Sequence, residues 1–232
     1  MVRQIHIKVR EFILMANIFI IGATGGVGSR LIPKLISAGH NVKGLHRKAE
    51  QANGLRAQGA EPVFGDIIEM SSEDLAIALQ GCDMAVFSAG AAGSGKDRAT
   101  KIDGEGPEKL VAAAKANGLQ RIYLVSVFMD AGRDRDTSEG FEHYMAMKRR
   151  ADAALAQSGV DYVILRPGTL KDDDGDGRVN SGRAIPYGDV ARGNVAAMLA
   201  ELINTPEITD EIIELTNGDQ PIAEAVTALQ RG

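Results

Sequence analysis

Tyr144 and Lys148 stand four residues apart in Tyr144-Met-Ala-Met-Lys148. On a helix that spacing puts both side chains on one face, a turn apart. A tyrosine can deliver a proton to a carbonyl oxygen while a hydride reaches the carbon. A neighbouring ammonium favours the phenolate, so Lys148 is expected to draw the Tyr144 pKa down toward working pH. The same lysine could hold a nicotinamide ribose. The plain alternative is a helix with a half-buried tyrosine and a surface lysine.

A second group could bind what such chemistry needs. Gly22-Ala23-Thr24-Gly25-Gly26-Val27-Gly28 follows an apolar run and precedes a stretch of helical periodicity. Gly22 permits a sharp turn, Gly25 lets the backbone approach a pyrophosphate, and Gly28 lets the helix pack tightly on the strand. The N–H groups at the helix start then face the phosphates. An NAD site usually has an acidic residue about 20 residues further on. Here that place reads Leu45-His46-Arg47-Lys48. Arg47, helped by Lys48 or His46, could meet a 2′-phosphate, which favours NADP over NAD.

Positioning these groups requires alternating strands and helices. Ile18 to Ile21 reads as a buried strand and Val27 to Ala38 as a helix that contains Pro33 and stops at Gly39. Strands are expected at Asn41–Leu45, Glu61–Phe64, Met84–Ser88, Arg121–Ser126 and Val160–Leu165. A short one follows at Glu211–Leu215. Helices are expected at Ala49–Gln58, Leu75–Gln80, Gly104–Asn117, Phe141–Gln157, Asp189–Leu202 and Ile222–Leu229. Ser71-Ser72-Glu73-Asp74 is a helix start, and Pro107 in a first turn with Gly118 after the end marks both limits of another. This pattern predicts an α/β fold, a doubly wound parallel (Rossmann) sheet with helices on both faces. Residues 15–232 form one domain, with a small substrate-side cap over about 168–220. Asp130–Glu139 and Lys171–Gly177 read as surface loops.

The order and spacing of these elements resemble the short-chain dehydrogenase/reductase superfamily, in particular its atypical, single-domain NAD(P)H-binding (NmrA-like) members. The resemblance covers about residues 15–230. It rests on the glycine turn, Gly65-Asp66, Ser88-Ala89-Gly90, Leu124-Val125-Ser126, Tyr144-xxx-Lys148 and Leu165-Arg166-Pro167-Gly168. It implies that Gly22, Thr24, Gly25, Gly26 and Val27 cradle the pyrophosphate and that Arg47 reads the adenosine phosphate. Asp66 and Ile67 would flank the adenine, with Ala89 and Gly90 on the ribose side. Tyr144 and Lys148 would be the proton donor and its helper, and Pro167, Gly168 and Thr169 would cover the nicotinamide. The family usually carries a catalytic Ser or Thr as the second of a Ser-Ser pair after the fifth strand. Here Ser126 is followed by Val127, so Ser126 is a catalytic candidate that could hold only the structural place.

Composition excludes other classes. Of 232 residues, 44% are hydrophobic and 25% charged, which fits neither a collagen nor a disordered chain. A net charge of −5 gives no general pull toward phosphate backbones, so nucleic acid is not an expected partner. The single Cys82 cannot form an internal disulfide, which fits a reducing cytoplasm. His6, His40, His46 and His143 are scattered, so no zinc site is expected. Asp172-x-Asp174-x-Asp176-Gly177 copies half of a calcium loop, but its twelfth place is Arg183. No apolar stretch reaches membrane-spanning length, about 18 residues. Met1–Arg10 is basic and Phe12–Ala23 apolar, as in a secretory signal, but the apolar run leads directly into the glycine turn. Residues 1–14 read instead as an N-terminal extension or an extra edge strand.

The expected activity is an NADP-dependent oxidoreductase acting on a small carbonyl or alcohol, with epimerase or dehydratase chemistry as a variant. A cofactor-binding sensor without turnover and a flavin or quinone reductase remain alternatives. The expected state is a monomer or homodimer.

Overall fold

The computed structural model describes residues 15–132 and 136–230. The edge strand expected within residues 1–14 lies outside them. Eleven strands are present among the described residues: β1 Asn17–Ile21, β2 Asn41–His46, β3 Glu61–Phe64, β4 Met84–Phe87, β5 Arg121–Val125, β6 Asp161–Pro167, β7 Thr169–Lys171, β8 Arg178–Gly182, β9 Asp189–Ala191, β10 Glu211–Asn217 and β11 Gln220–Pro221. Eight helices accompany them: α1 Gly28–Ser37, α2 Gln51–Ala57, α3 Ser72–Ala78, α4 Lys96–Arg98, α5 Gly106–Asn117, α6 Glu139–Ala156, α7 Arg192–Ile203 and α8 Ile222–Leu229. A π-helical segment, Ala99–Glu105, joins α4 to α5.

The main sheet has the order β11-β8-β10-β6-β5-β4-β1-β2-β3. Every pairing from β10 through β6, β5, β4, β1 and β2 to β3 is parallel. The strand order reverses between β1 and β4, and ligands of doubly wound sheets bind at such a point, beyond the strand C-termini. The expected doubly wound parallel sheet is present, and β8 and β11 extend it at one edge by antiparallel pairing. Arg178–Gly182 carries Arg-Val-Asn-Ser-Gly, which has one buried residue, Val179, and so lacks the apolar run that marks a strand. It is a strand because β10 offers it an edge. Likewise Asp189–Ala191, expected as the start of a helix, pairs with β7 in a separate two-stranded ribbon.

Alternation along the strands divides the core between the two faces. Ile18 and Ile20 join Val86, Tyr123 and Val163 beneath α1, α7 and α8. Phe19 and Ile21 join Ala85, Phe87 and Leu124 beneath α3, α5 and α6. Burial on both faces is why β1 reads as an unbroken apolar run. The start of α3 is a capping box between Ser71 and Asp74. Pro107 sits in the first turn of α5, and Gly118, at φ +63°, ends it in the left-handed conformation.

Candidate functional site

A cavity of about 860 Å³ opens at the C-terminal ends of β1, β2, β4 and β5. One end is backbone. Gly22 leaves β1 at φ +90°, and the Gly25 N–H donates to its carbonyl at 3.0 Å. A Cβ added at Gly22 would lie 2.6 Å from the Ala89 nitrogen. At Gly28 it would lie 2.2 Å from the Gly22 oxygen, so the helix can approach the strand only through a glycine. Thr24, Gly25 and Gly26 are exposed and, with Val27, line the cavity. This is a cradle whose space side chains would fill, and it fits a diphosphate.

Arg47 is exposed at the end of β2 and also lines the cavity. It has no hydrogen bond or ion pair among the described residues. Asp66, Ile67, Ala89 and Gly90 line the wall beside it. The remaining expected residues stand elsewhere. Gly28 packs on the turn. Lys48 is exposed and does not line the cavity; its N–H donates to Gln51 Oε1 at 3.1 Å. Pro167, Gly168 and Thr169 are held by neighbouring backbone: Gly168 donates to Leu215 at 2.9 Å and Thr169 to Gly188 at 3.0 Å. From that segment it is Leu170 that reaches the cavity.

The other end is built from buried charge. Tyr144 and Lys148, on α6, both line it, with the Lys148 ammonium 5.8 Å from the Tyr144 ring centre. Lys148 is buried among its neighbours, at the cavity wall. It pairs with Asp103 Oδ1 at 3.1 Å and donates to the Val125 carbonyl at 3.2 Å. Asp103, on the π-helical segment, spends its other oxygen on the Ala91 N–H at 3.0 Å. Burial opposes the Lys148 charge, but Tyr144, Asp103 and Asp152 outweigh it and hold the ammonium above its ordinary pKa. Burial pushes the Tyr144 phenol up; Lys148 pulls it down, and Asp103 and Asp152 push it up again. The net direction is upward, which corrects the expected lowering. An ammonium already paired with Asp103 has little field left for the phenolate, and a half-buried phenol resists ionisation.

Ser126 lines the same wall, but its hydroxyl is buried and makes no hydrogen bond of good geometry. It lies near Asp152, whose carboxyl is pushed up by burial and pulled back by Ser126 and by Arg166, 2.9 Å away. Val127 packs beside Phe128, Ala131 and Met145, so no second hydroxyl follows.

Three contributors escaped the sequence reading. Asp103 had no motif around it. Gln51 donates to the Thr24 hydroxyl at 3.1 Å and ties the glycine turn to α2. Arg192, at the start of α7, lies along Gly26, where an added Cβ would meet its Cδ at 2.5 Å. The acidic loop after β7 is engaged in the structure's own contacts: Arg30 pairs with Asp172 at 3.3 Å and Asp174 at 2.8 Å, and Asp176 accepts from Asn194 at 3.2 Å. Cys82 is half-buried, and burial pushes its thiol up, away from nucleophilic use. Among the described residues no helix is long and apolar enough to cross a membrane.

A phosphate-cradling turn at the switch point of a doubly wound sheet is the arrangement of a nicotinamide-dinucleotide-binding protein. The chain belongs to the NAD(P)H-binding family, which matches residues 22–206. It is 35% identical over 215 residues to a Bacillus subtilis protein named the uncharacterized sugar epimerase YhfK, covering 92% of this chain and all of that one. A Bacillus halodurans structure provisionally named an NAD-dependent epimerase/dehydratase is 31% identical, with a TM-score of 0.84 over 92% of this chain and 99% of that one. The oxidoreductase ylbE of Lactococcus lactis is 27% identical, with a TM-score of 0.80 over 93% and 97%.

Proposed function

We propose that the protein is an NADP-dependent oxidoreductase that interconverts a carbonyl and an alcohol on a small molecule. The observation that carries this reading is the sharing of one cavity by the glycine turn, the unpaired Arg47 and the Tyr144–Lys148 pair. Gly22, Thr24, Gly25, Gly26 and Val27 would cradle the diphosphate with their backbone at the start of α1, with Arg192 alongside. Arg47 would meet the 2′-phosphate, since β2 ends without an acid for a free ribose hydroxyl. Asp66 and Ile67 would bound the adenine, and Ala89 and Gly90 the adjoining ribose.

Bound NADPH supplies the hydride that reduces the carbonyl carbon. Tyr144 then gives its phenolic proton to the carbonyl oxygen. Its raised pKa keeps that proton in place at neutral pH, which suits the reductive direction. Lys148 has three N–H bonds; Asp103 and Val125 take two, and the third is free for a ribose hydroxyl.

The test is NADPH and NADH titration followed by a screen of small carbonyl compounds and quinones, with Tyr144→Phe beside the unaltered protein. Turnover that needs Tyr144 supports the proposal. Turnover indifferent to it indicates a flavin or quinone reductase, which needs no proton relay. A second reading, a nucleotide-binding sensor without turnover, draws on the buried Ser126 hydroxyl and on Val127 after it. Tight NADPH binding without turnover of any compound would favour that reading.

A further inference from the structure

Resting on the oxidoreductase reading, we propose that Arg98 is a substrate-binding residue and that the substrate carries a carboxylate. The segment from α4 into the π-helical turn lies along the first turns of α6, the helix that bears Tyr144. Two rungs join them: Lys96 pairs with Glu139 at 2.8 Å, and Thr100 meets His143 Nε2 at 2.8 Å. Arg98 sits between these rungs in sequence and turns to the other side. With Ile102, one turn further on, it lines the same cavity as Phe141 and Tyr144.

The other cations of the segment are matched. Lys96 has Glu139, and Lys101 has Asp97 at 3.1 Å. No carboxylate pairs with Arg98 among the described residues. Its one hydrogen bond among the described residues is from Nε to the Ser94 hydroxyl at 3.1 Å, and that hydroxyl in turn donates to the Ala91 carbonyl. The serine therefore orients the guanidinium through one nitrogen and leaves both terminal NH2 groups unclaimed. Two parallel N–H groups on a half-buried, unpaired cation are the complement of a carboxylate. Lys148, the cation beside Tyr144, is already neutralised by Asp103. An uncharged substrate filling the cavity would leave the Arg98 charge without a counter-charge.

The probes are 4-carboxybenzaldehyde and its methyl ester, which share one aldehyde and differ in charge. The readouts are the dissociation constant of each probe, from the fluorescence of bound NADPH, and the rate of NADPH oxidation. The unaltered protein should bind the acid roughly tenfold to a hundredfold more tightly than the ester. Arg98→Ala should erase that preference while NADPH affinity stays unchanged, and Arg98→Lys should restore only part of it. Equal binding of acid and ester, or a preference that survives Arg98→Ala, would overturn the assignment. Failure of the unaltered protein to bind NADPH would sink the oxidoreductase reading instead. The acid is then titrated calorimetrically without nucleotide, where Arg98-dependent binding supports the site and equal binding to Arg98→Ala rejects it.

Discussion

The cavity has two ends made of different material. At the glycine turn the working surface is backbone, exposed at Thr24, Gly25 and Gly26, and what matters is the absence of side chains. Around Tyr144 the working groups are side chains from α6, the π-helical segment and β5, and what matters is how buried charges are matched. The first end tolerates no added atoms. The second is sensitive to a lost partner, because a buried ammonium without its carboxylate is an uncompensated charge.

Four substitutions break this contrast at different depths. Tyr144→Phe removes only the transferable proton. Turnover should fall by about 10²–10⁴-fold with NADPH binding unchanged, measured by steady-state rates and fluorescence titration. In the unaltered protein, reduction needs the protonated phenol. Because that pKa is raised, the rate should hold from neutral pH to the ordinary phenol value of 10.0 and decline only above it. Tyr144→Phe should lack that decline. Asp103→Ala strands the Lys148 ammonium and should cost about 3–5 kcal/mol of stability in urea unfolding. Leu substituted at Lys148 as well should recover part of that loss, because the double change removes the stranded charge. Gly28→Ala places a methyl group against the Gly22 carbonyl and should cost about 1–3 kcal/mol, with weakened NADPH binding. The smallest effect belongs to Arg47→Ala: roughly tenfold weaker NADPH binding with NADH unchanged. Equal loss for both dinucleotides would place Arg47 away from the 2′-phosphate.

The same contrast explains what could be read in advance. The order of β1 to β6, the capping box at Ser71, the limits of α5 and the span of α8 were all visible, since each is a local pattern of period or cap. β8 and β9 were not visible. Short, mostly polar strands such as Arg178–Gly182 exist because a neighbouring edge supplies hydrogen bonds, and nothing in their own residues announces it. The glycine turn and the Tyr144–Lys148 spacing were equally local. Asp103 and Arg192 were not, since each acts on a partner brought near by the fold.

The sequence determined the sheet's alternation, the phosphate-cradling turn and the pairing of a phenol with an amine on one helix face. Those features depend on spacing within one element, and spacing survives without a fold. Tertiary structure decided that Asp103 claims the amine and that burial lifts the phenol pKa rather than lowering it. Electrostatic effects of that kind depend on distance and dielectric, and both are set only when α6, the π-helical segment and β5 close around one another.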